Sequence, residues 1–216
     1  GDQDGVKGVY HINAVDEVTQ FEIVCSVEKI SERYLIPALE QMLVSFPFAI
    51  QGFHSDNGSE YVNRRVAELL EKLFIEFTKS RPRHSNDNAL AESKSASIVR
   101  KVFGYTHIAQ KWATTINQFN HDYLNPYINY HRPCFFPETT INAKGKAQKT
   151  YPYNGMMTPF EKLKSLPNVE HYLKPEISLK ELDEYAKQMT DNEAAQAMQD
   201  ARRKLFGLIF KPDKSA

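Results

Sequence analysis

Two acidic residues, Asp56 and Glu92, lie where their surroundings could direct a carboxylate into a cleft. Asp56 follows a predicted strand at residues 49–54, and an Asn-Gly turn comes directly after it. Glu92 lies about one turn inside a helix that is predicted to begin near residue 89. Because hard divalent cations such as Mg²⁺ prefer carboxylate oxygens as ligands, two such side chains could together hold a metal ion.

Each carboxylate also has a simpler explanation that the local sequence leaves open. Asp56 could do no more than shape the Asp-Asn-Gly turn and cap the helix that follows. Glu92 could lie on a solvated helix face, or belong to a capping arrangement with Asn86 or Asp87 at the helix N-terminus. The two residues are therefore more informative as a pair than either one is alone.

The elements that would position this pair alternate between strands and helices. Strands are predicted at residues 9–16, 21–27, 49–54 and 74–78, and the first two should form an antiparallel hairpin. Apolar residues at helical spacing predict helices at residues 31–45, 60–73, 89–103 and 108–123. This order is typical of an α/β fold in which helices cover a mixed sheet.

The composition changes after Asn125. Residues 126–159 carry many Pro, Tyr, Asn and Lys residues, which favours an extended segment that wraps over a surface. Residues 178–210 are predicted to be helical again, with an apolar face that is more typical of a packing or partner surface than of a catalytic site. We therefore divide the chain into a core at residues 1–125 and an extended wrap with a helical C-terminal tail at residues 126–216.

The overall composition excludes several classes of protein. Hydrophobic residues make up 41% of the 216 residues and aromatic residues 12%, which is enough to fill a packed core. No apolar run approaches the roughly 18 residues that a membrane span needs, and the sequence has no Gly-rich phosphate loop. The two cysteines, Cys25 and Cys134, lack zinc-type spacing. The formal net charge is zero, so a DNA-binding surface would have to come from local clustering.

The spacing of the two carboxylates and the words around them resemble one known family. Between Asp56 and Glu92 lie 35 residues, with HSDNGSEY around the first and NDNALAESK around the second. These features resemble the catalytic core of DDE transposases and retroviral-type integrases, and in particular the transposases of bacterial insertion sequences. Downstream, YHRP at residues 130–133 and MTPF at residues 157–160 are similar to phrases of bacterial members. The resemblance covers roughly residues 6–165.

The resemblance implies a ribonuclease H-like mixed sheet flanked by helices, with an α-helical C-terminal extension. It also implies that Asp56 and Glu92 are catalytic residues that bind two Mg²⁺ or Mn²⁺ ions. Two such ions can assist in-line attack on a phosphodiester by activating the attacking oxygen and stabilising the leaving one. The implied reaction is DNA strand transfer in transposition, with transposon ends and target DNA as partners. The protein would act as a homo-oligomer on DNA in the bacterial cytoplasm, without a membrane partner.

The family has a third carboxylate, an Asp on the opening strand of the sheet. That strand would pair with the one predicted at residues 9–16, so we expect this Asp to lie upstream of Gly1 or to be replaced by Asp2 or Asp4. Asp16 is also acidic and near a strand end, but it belongs to the second strand. Without a third carboxylate the chain would be a truncated, inactive transposase remnant that only binds DNA or partner subunits. A ribonuclease H-like nuclease is the other alternative.

Basic residues cluster locally next to the expected cleft. Residues 79–101 contain six basic side chains and two acidic ones. Because phosphate contacts supply much of the affinity for DNA, we expect this segment to contact the DNA backbone. The predicted DNA-binding residues are Lys79, Arg81, Arg83, Lys94, Arg100 and Lys101.

Overall fold

The structure is a computed structural model that describes residues 2–3, 5–55, 60–72, 76–79, 89–141 and 145–211. Its strands are β1 (Asp2–Gln3), β2 (Val6–Lys7), β3 (Tyr10–Val15), β4 (Glu22–Val27), β5 (Gly52–Ser55), β6 (Glu76–Lys79), β7 (Glu138–Ile141) and β8 (Ala147–Thr150). Its α-helices are α1 (Glu32–Ser45), α2 (Glu60–Lys72), α3 (Ala89–Lys94), α4 (Arg100–Phe103), α5 (Ala113–Phe119), α6 (Pro159–Lys164), α7 (Leu179–Ala186) and α8 (Asp191–Ile209). The π-helical segments are Ser95–Val99, Asn120–Leu124 and Tyr127–His131, and the 3₁₀ turns are Gln110–Trp112, Tyr153–Gly155 and Val169–His171.

The strands pair two by two. β3 and β4 form the predicted antiparallel hairpin, in register from Tyr10 opposite Val27 to Val15 opposite Glu22. β5 and β6 pair in parallel, while β1 with β2 and β7 with β8 form two further antiparallel hairpins. The fold is therefore mixed α/β, and both strand directions of the predicted mixed sheet occur. Within the described ranges, however, no pairing joins β3 and β4 to β5 and β6.

The helix predicted at residues 108–123 is longer than expected. It runs through the 3₁₀ turn at Gln110–Trp112, α5 and two π-helical segments, and it ends at His131. The extended conformation predicted from residue 126 onward is therefore wrong for residues 126–131. A proline inside an α-helix removes an N–H donor. Here Pro126 lies between two π-helical segments, whose hydrogen-bonding pattern differs from that of an α-helix.

The single helix predicted at residues 178–210 is two helices, α7 and α8. Thr190 begins α8 with a capping box, in which its side chain accepts from the backbone N–H of Glu193 and the Glu193 carboxylate accepts from the backbone N–H of Thr190. A capping box of this kind marks the start of a new helix. None of the described helices is both long enough and apolar enough to cross a membrane.

Three asparagines of the long helix (residues 110–131) take the place of a neighbouring strand along one edge of β4. Each side chain accepts the N–H of one β4 residue through Oδ1 and donates to the C=O of the same residue through Nδ2. The pairs are Asn117 with Ser26 (2.7 and 2.8 Å), Asn125 with Val24 (2.9 and 3.2 Å) and Asn129 with Glu22 (2.8 and 2.7 Å). Asn125 and Asn129 are four residues apart on the helix, a rise of about 6 Å. Their partners Val24 and Glu22 are two residues apart on the strand, a rise of about 6.6 Å, so the two distances match. We call this set of three residues the asparagine ladder.

Two hydrophobic clusters join the C-terminal part of the chain to the N-terminal part. The first contains Val24 of β4, Ile116 of α5 and Met198 of α8. The second contains Phe46, directly after α1, and Phe160 of α6. Residues from both sides of the boundary predicted between residues 125 and 126 therefore pack together in each cluster.

We predict that Asn129→Ala lowers the free energy of unfolding by about 1–3 kcal/mol, because the buried N–H and C=O of Glu22 would each lose a partner. Urea unfolding followed by circular dichroism measures the change. Asn192→Ala, at an exposed position on α8, is the control and should change stability by less than about 0.5 kcal/mol. Equal losses in the two variants would contradict a structural role for the asparagine ladder.

His11 on β3 should make the stability depend on pH. Its ring stacks on that of Phe103, with centroids 4.2 Å apart, and it hydrogen-bonds to the Ser26 hydroxyl at 2.8 Å. Burial lowers the pKa of His11 from its ordinary value of 6.5 to about 4. Because the folded pKa lies below the unfolded one, the contribution of the neutral ring to stability is fully present above pH 6.5 and is lost as the pH falls towards 4.

We predict that acidification from about pH 7 to about pH 4 destabilises the wild-type chain by about 3 kcal/mol more than the His11→Gln variant. The glutamine can keep a hydrogen bond but does not take up a proton. Urea titrations of both proteins at several pH values measure the difference between their free energies of unfolding. A difference that stays constant across this range would show that His11 does not titrate as a buried group.

Candidate metal and DNA site

The first predicted metal ligand, Asp56, comes directly after β5. This strand ends at Ser55, which is in register with Lys79 at the end of the parallel strand β6. In open α/β sheets, ligands commonly bind outside the carboxyl ends of parallel strands. Asp56 itself lies outside the described residues, so its role stays a prediction.

The second predicted ligand, Glu92, lies on α3 and is exposed. Its carboxylate is therefore accessible to a cation. The helix that carries it is tied to β3, because Nδ2 of Asn13 donates to the C=O of Ala91 at 3.3 Å. The residue directly before Glu92 is thus attached to the β3–β4 hairpin.

Asn13 also binds a buried carboxylate that was not predicted. The same Nδ2 donates to Oε1 of Glu22 at 3.2 Å, and Glu22 is only 1% exposed. Burial raises the pKa of Glu22 to about 7, although Lys94, Asn13 and Arg132 each act in the opposite direction. The sequence contains a signal for this buried carboxylate, because Glu22 is the single charged residue inside the apolar segment 21–27.

Lys94 does not lie at the surface, and this contradicts its predicted contact with DNA. It is 6% exposed, and its Nζ donates to Sγ of Cys134 at 3.0 Å. The spacing of Lys94 in the sequence was the better signal, because it precedes Ile98 and Val102, both buried, by four and eight residues. Residues at this spacing share one face of a helix, so Lys94 continues an inward-facing stripe.

The other predicted DNA contacts fall into two groups. Arg100 and Lys101 are exposed at the start of α4 and are accessible to a phosphate backbone. Lys79 is the last residue of β6, and Arg81 and Arg83 lie outside the described residues. Contact of these five residues with DNA stays a prediction.

A divalent cation at this site would need donors from more than one element. Within the described ranges, no three side chains of His, Cys, Asp or Glu are grouped closely enough to hold a metal ion. Glu92 supplies one accessible carboxylate. With Asp56 it would form a donor set of carboxylate oxygens, which fits a hard cation rather than a thiophilic one.

The candidates for a third carboxylate are placed differently. Asp16 closes the turn between β3 and β4, because its Oδ2 accepts from the backbone N–H and the hydroxyl of Thr19 at 2.7 and 2.6 Å. This use as a turn residue speaks against Asp16 as a metal ligand. Asp2 lies in β1 opposite Lys7, and Asp4 lies outside the described residues.

Comparison with known proteins finds a similarity in the N-terminal part of the chain. The family model for the integrase core domain matches residues 3–85, a segment that contains Asp56 and ends before Glu92. The uncharacterized protein y4rM of Sinorhizobium fredii (strain NBRC 101917 / NGR234) is 36% identical over 117 residues. That alignment covers 54% of this chain and 33% of the relative, so the chain spans a third of the relative's length. Residues 3–85 are therefore similar to the integrase core domain, which supports a catalytic core of the retroviral-type integrase or transposase kind in this part of the chain.

Proposed function

We propose that the chain is the catalytic core of a DDE-type transposase that carries out metal-dependent DNA strand transfer. The pair Asp56 and Glu92, with 35 residues between them, carries this proposal. The first lies inside the integrase core match, and the second is exposed on α3. We also propose the ribonuclease H-like arrangement for this core, which the antiparallel hairpin β3–β4 and the parallel pair β5–β6 support.

Asp56 and Glu92 would hold two Mg²⁺ or Mn²⁺ ions. Bound ions of this kind activate an attacking oxygen and stabilise the leaving oxygen at a phosphodiester. The contribution of the chain itself is to present the carboxylates at defined places. Asp56 follows the end of a strand, and Glu92 lies on a helix that is tied to β3 through the carbonyl of Ala91.

DNA is the substrate that an integrase core domain implies. We propose transposon ends and target DNA as the two substrates, with Arg100 and Lys101 among the residues that contact the backbone. More than one copy of the chain would act together, because two DNA ends have to be joined to one target.

We predict that Asp56→Asn and Glu92→Gln each abolish Mg²⁺-dependent joining of DNA ends in the full-length protein. An amide is a poor substitute for a carboxylate as ligand of a hard cation. Losing the ions would remove several kcal/mol of transition-state stabilisation, or at least about 10³-fold in rate. The transfer of a labelled transposon end to a target plasmid measures the reaction.

The control for this experiment is Glu170→Gln, which changes an exposed carboxylate in the same way and should leave the rate unchanged. Joining at the wild-type rate in Asp56→Asn or Glu92→Gln would contradict the assignment of these residues as catalytic metal ligands. Mg²⁺-dependent hydrolysis of an RNA–DNA hybrid without any joining would support the nuclease alternative instead. DNA binding without either reaction would support the inactive remnant.

We expect Arg100→Ala and Lys101→Ala to weaken DNA binding and to reduce its dependence on salt. Each phosphate contact releases counterions, so the loss of one contact lowers the slope of log K against log salt by about 1. Fluorescence anisotropy titrations at several salt concentrations measure this slope. Lys180→Ala, at an exposed position on α7, should keep the wild-type slope. A wild-type slope in Arg100→Ala and Lys101→Ala as well would remove both residues from the contact surface.

A further inference from the structure

A group of polar side chains lies where α3 packs against the β3–β4 hairpin. It consists of Asn13, Glu22, Lys94 and Cys134, and we call it the Glu22 cluster. Its carboxylate and its ammonium group are both buried. The proposed strand-transfer chemistry uses none of these four residues.

The Glu22 cluster holds the turn that bears Glu92 from two sides. On one side, Asn13 joins Oε1 of Glu22 to the C=O of the residue before Glu92. On the other side, Lys94 reaches inward to Sγ of Cys134. Glu92 lies between these two anchors, and its own side chain stays exposed.

Stability alone does not account for the Glu22 cluster. Oε2 of Glu22 is buried and has no hydrogen-bond partner among the described residues. Removing charged groups from water is costly, and well-packed apolar side chains of similar volume are often as stable or more stable. Polar contacts do, however, define where a turn lies, and a metal ligand has to be held within about 0.5 Å of its working position.

We propose that Asn13 and Glu22 are positioning residues that hold Glu92 in place for metal binding. This rests on the proposed function, because it takes Glu92 as a metal ligand. Residues that orient a ligand without touching the metal commonly change metal affinity by about 10- to 100-fold when they are removed. The Glu22 cluster thereby sets the affinity of the site for a divalent cation.

Calorimetric titration of Mn²⁺ into the full-length protein tests this proposal. Asn13→Leu removes the link to the carbonyl of Ala91, and Glu22→Met replaces the buried carboxylate with an apolar chain of similar length. We expect each variant to weaken Mn²⁺ binding by about tenfold and to speed hydrogen exchange of the amides at residues 91–94. Glu22→Met also leaves the buried ammonium group of Lys94 without its nearby carboxylate, so we expect it to lower the melting temperature as well. A positioning role is therefore separated from a purely structural one by comparing the Mn²⁺ affinity with that of a control variant that is also destabilised.

The matched control is Asn117→Leu, which removes another side-chain amide whose hydrogen bonds go to Ser26 on β4. It should lower the melting temperature and keep the Mn²⁺ affinity within about twofold of wild type. An equal loss of affinity in this control would overturn the proposal. Wild-type affinity in folded Asn13→Leu and Glu22→Met would overturn it as well. If Asn13→Leu does not fold, Glu22→Met alone decides.

Glu92→Gln in the same titration separates this proposal from the function on which it rests. If Glu92→Gln binds Mn²⁺ like the wild type, Glu92 is not a ligand and both proposals fail. If Glu92→Gln loses Mn²⁺ binding while Asn13→Leu and Glu22→Met keep it, only the positioning role fails.

Discussion

The buried edge of β4 needs hydrogen-bond partners, and the way it obtains them governs how the rest of the chain is arranged. β4 pairs with β3 on one side, and on the other side a helix lies where a further strand would otherwise be required. Because an unpaired N–H or C=O is costly in a buried position, the asparagine ladder holds the long helix at one place along the strand. The long helix in turn packs against α8 in the first hydrophobic cluster. Six backbone groups of β4 therefore position the long helix against which α8 packs.

Glu22 connects the hydrogen bonds along β4 with the candidate site. Asn129 binds the backbone of this residue, and Asn13 binds its side chain. One residue of β4 thus belongs to both the asparagine ladder and the Glu22 cluster, and Asn13 extends the connection to the residue before Glu92. Hydrogen bonds have narrower limits of distance and angle than apolar contacts. The place of α3 on the hairpin is therefore more closely defined than apolar packing alone would require.

Sequence patterns were sufficient where the signal is local. The hairpin at residues 10–27 and the elements that flank Asp56 and Glu92 follow from alternation, helical spacing and turn residues, and the observed ends differ by only a few residues. The asparagine ladder could not be predicted, because it depends on which side of a helix a distant strand covers. Lys94 shows the same limit, since its charge suggested the surface whereas its spacing relative to buried residues of the same helix indicated the interior. The charge of Lys94 and its helical spacing predicted different positions, and tertiary packing decided between them.

The basic residues of the segment 89–103 lie in two different environments. Lys94 has its charge inside the protein near Glu22, so it cannot neutralise a phosphate or release a counterion. Arg100 and Lys101 are exposed and can do both. Because the formal net charge of the chain is zero, attraction to DNA depends on where the charges lie rather than on their sum. A count of the basic residues in this segment therefore overestimates the number of positive charges that a DNA backbone could reach.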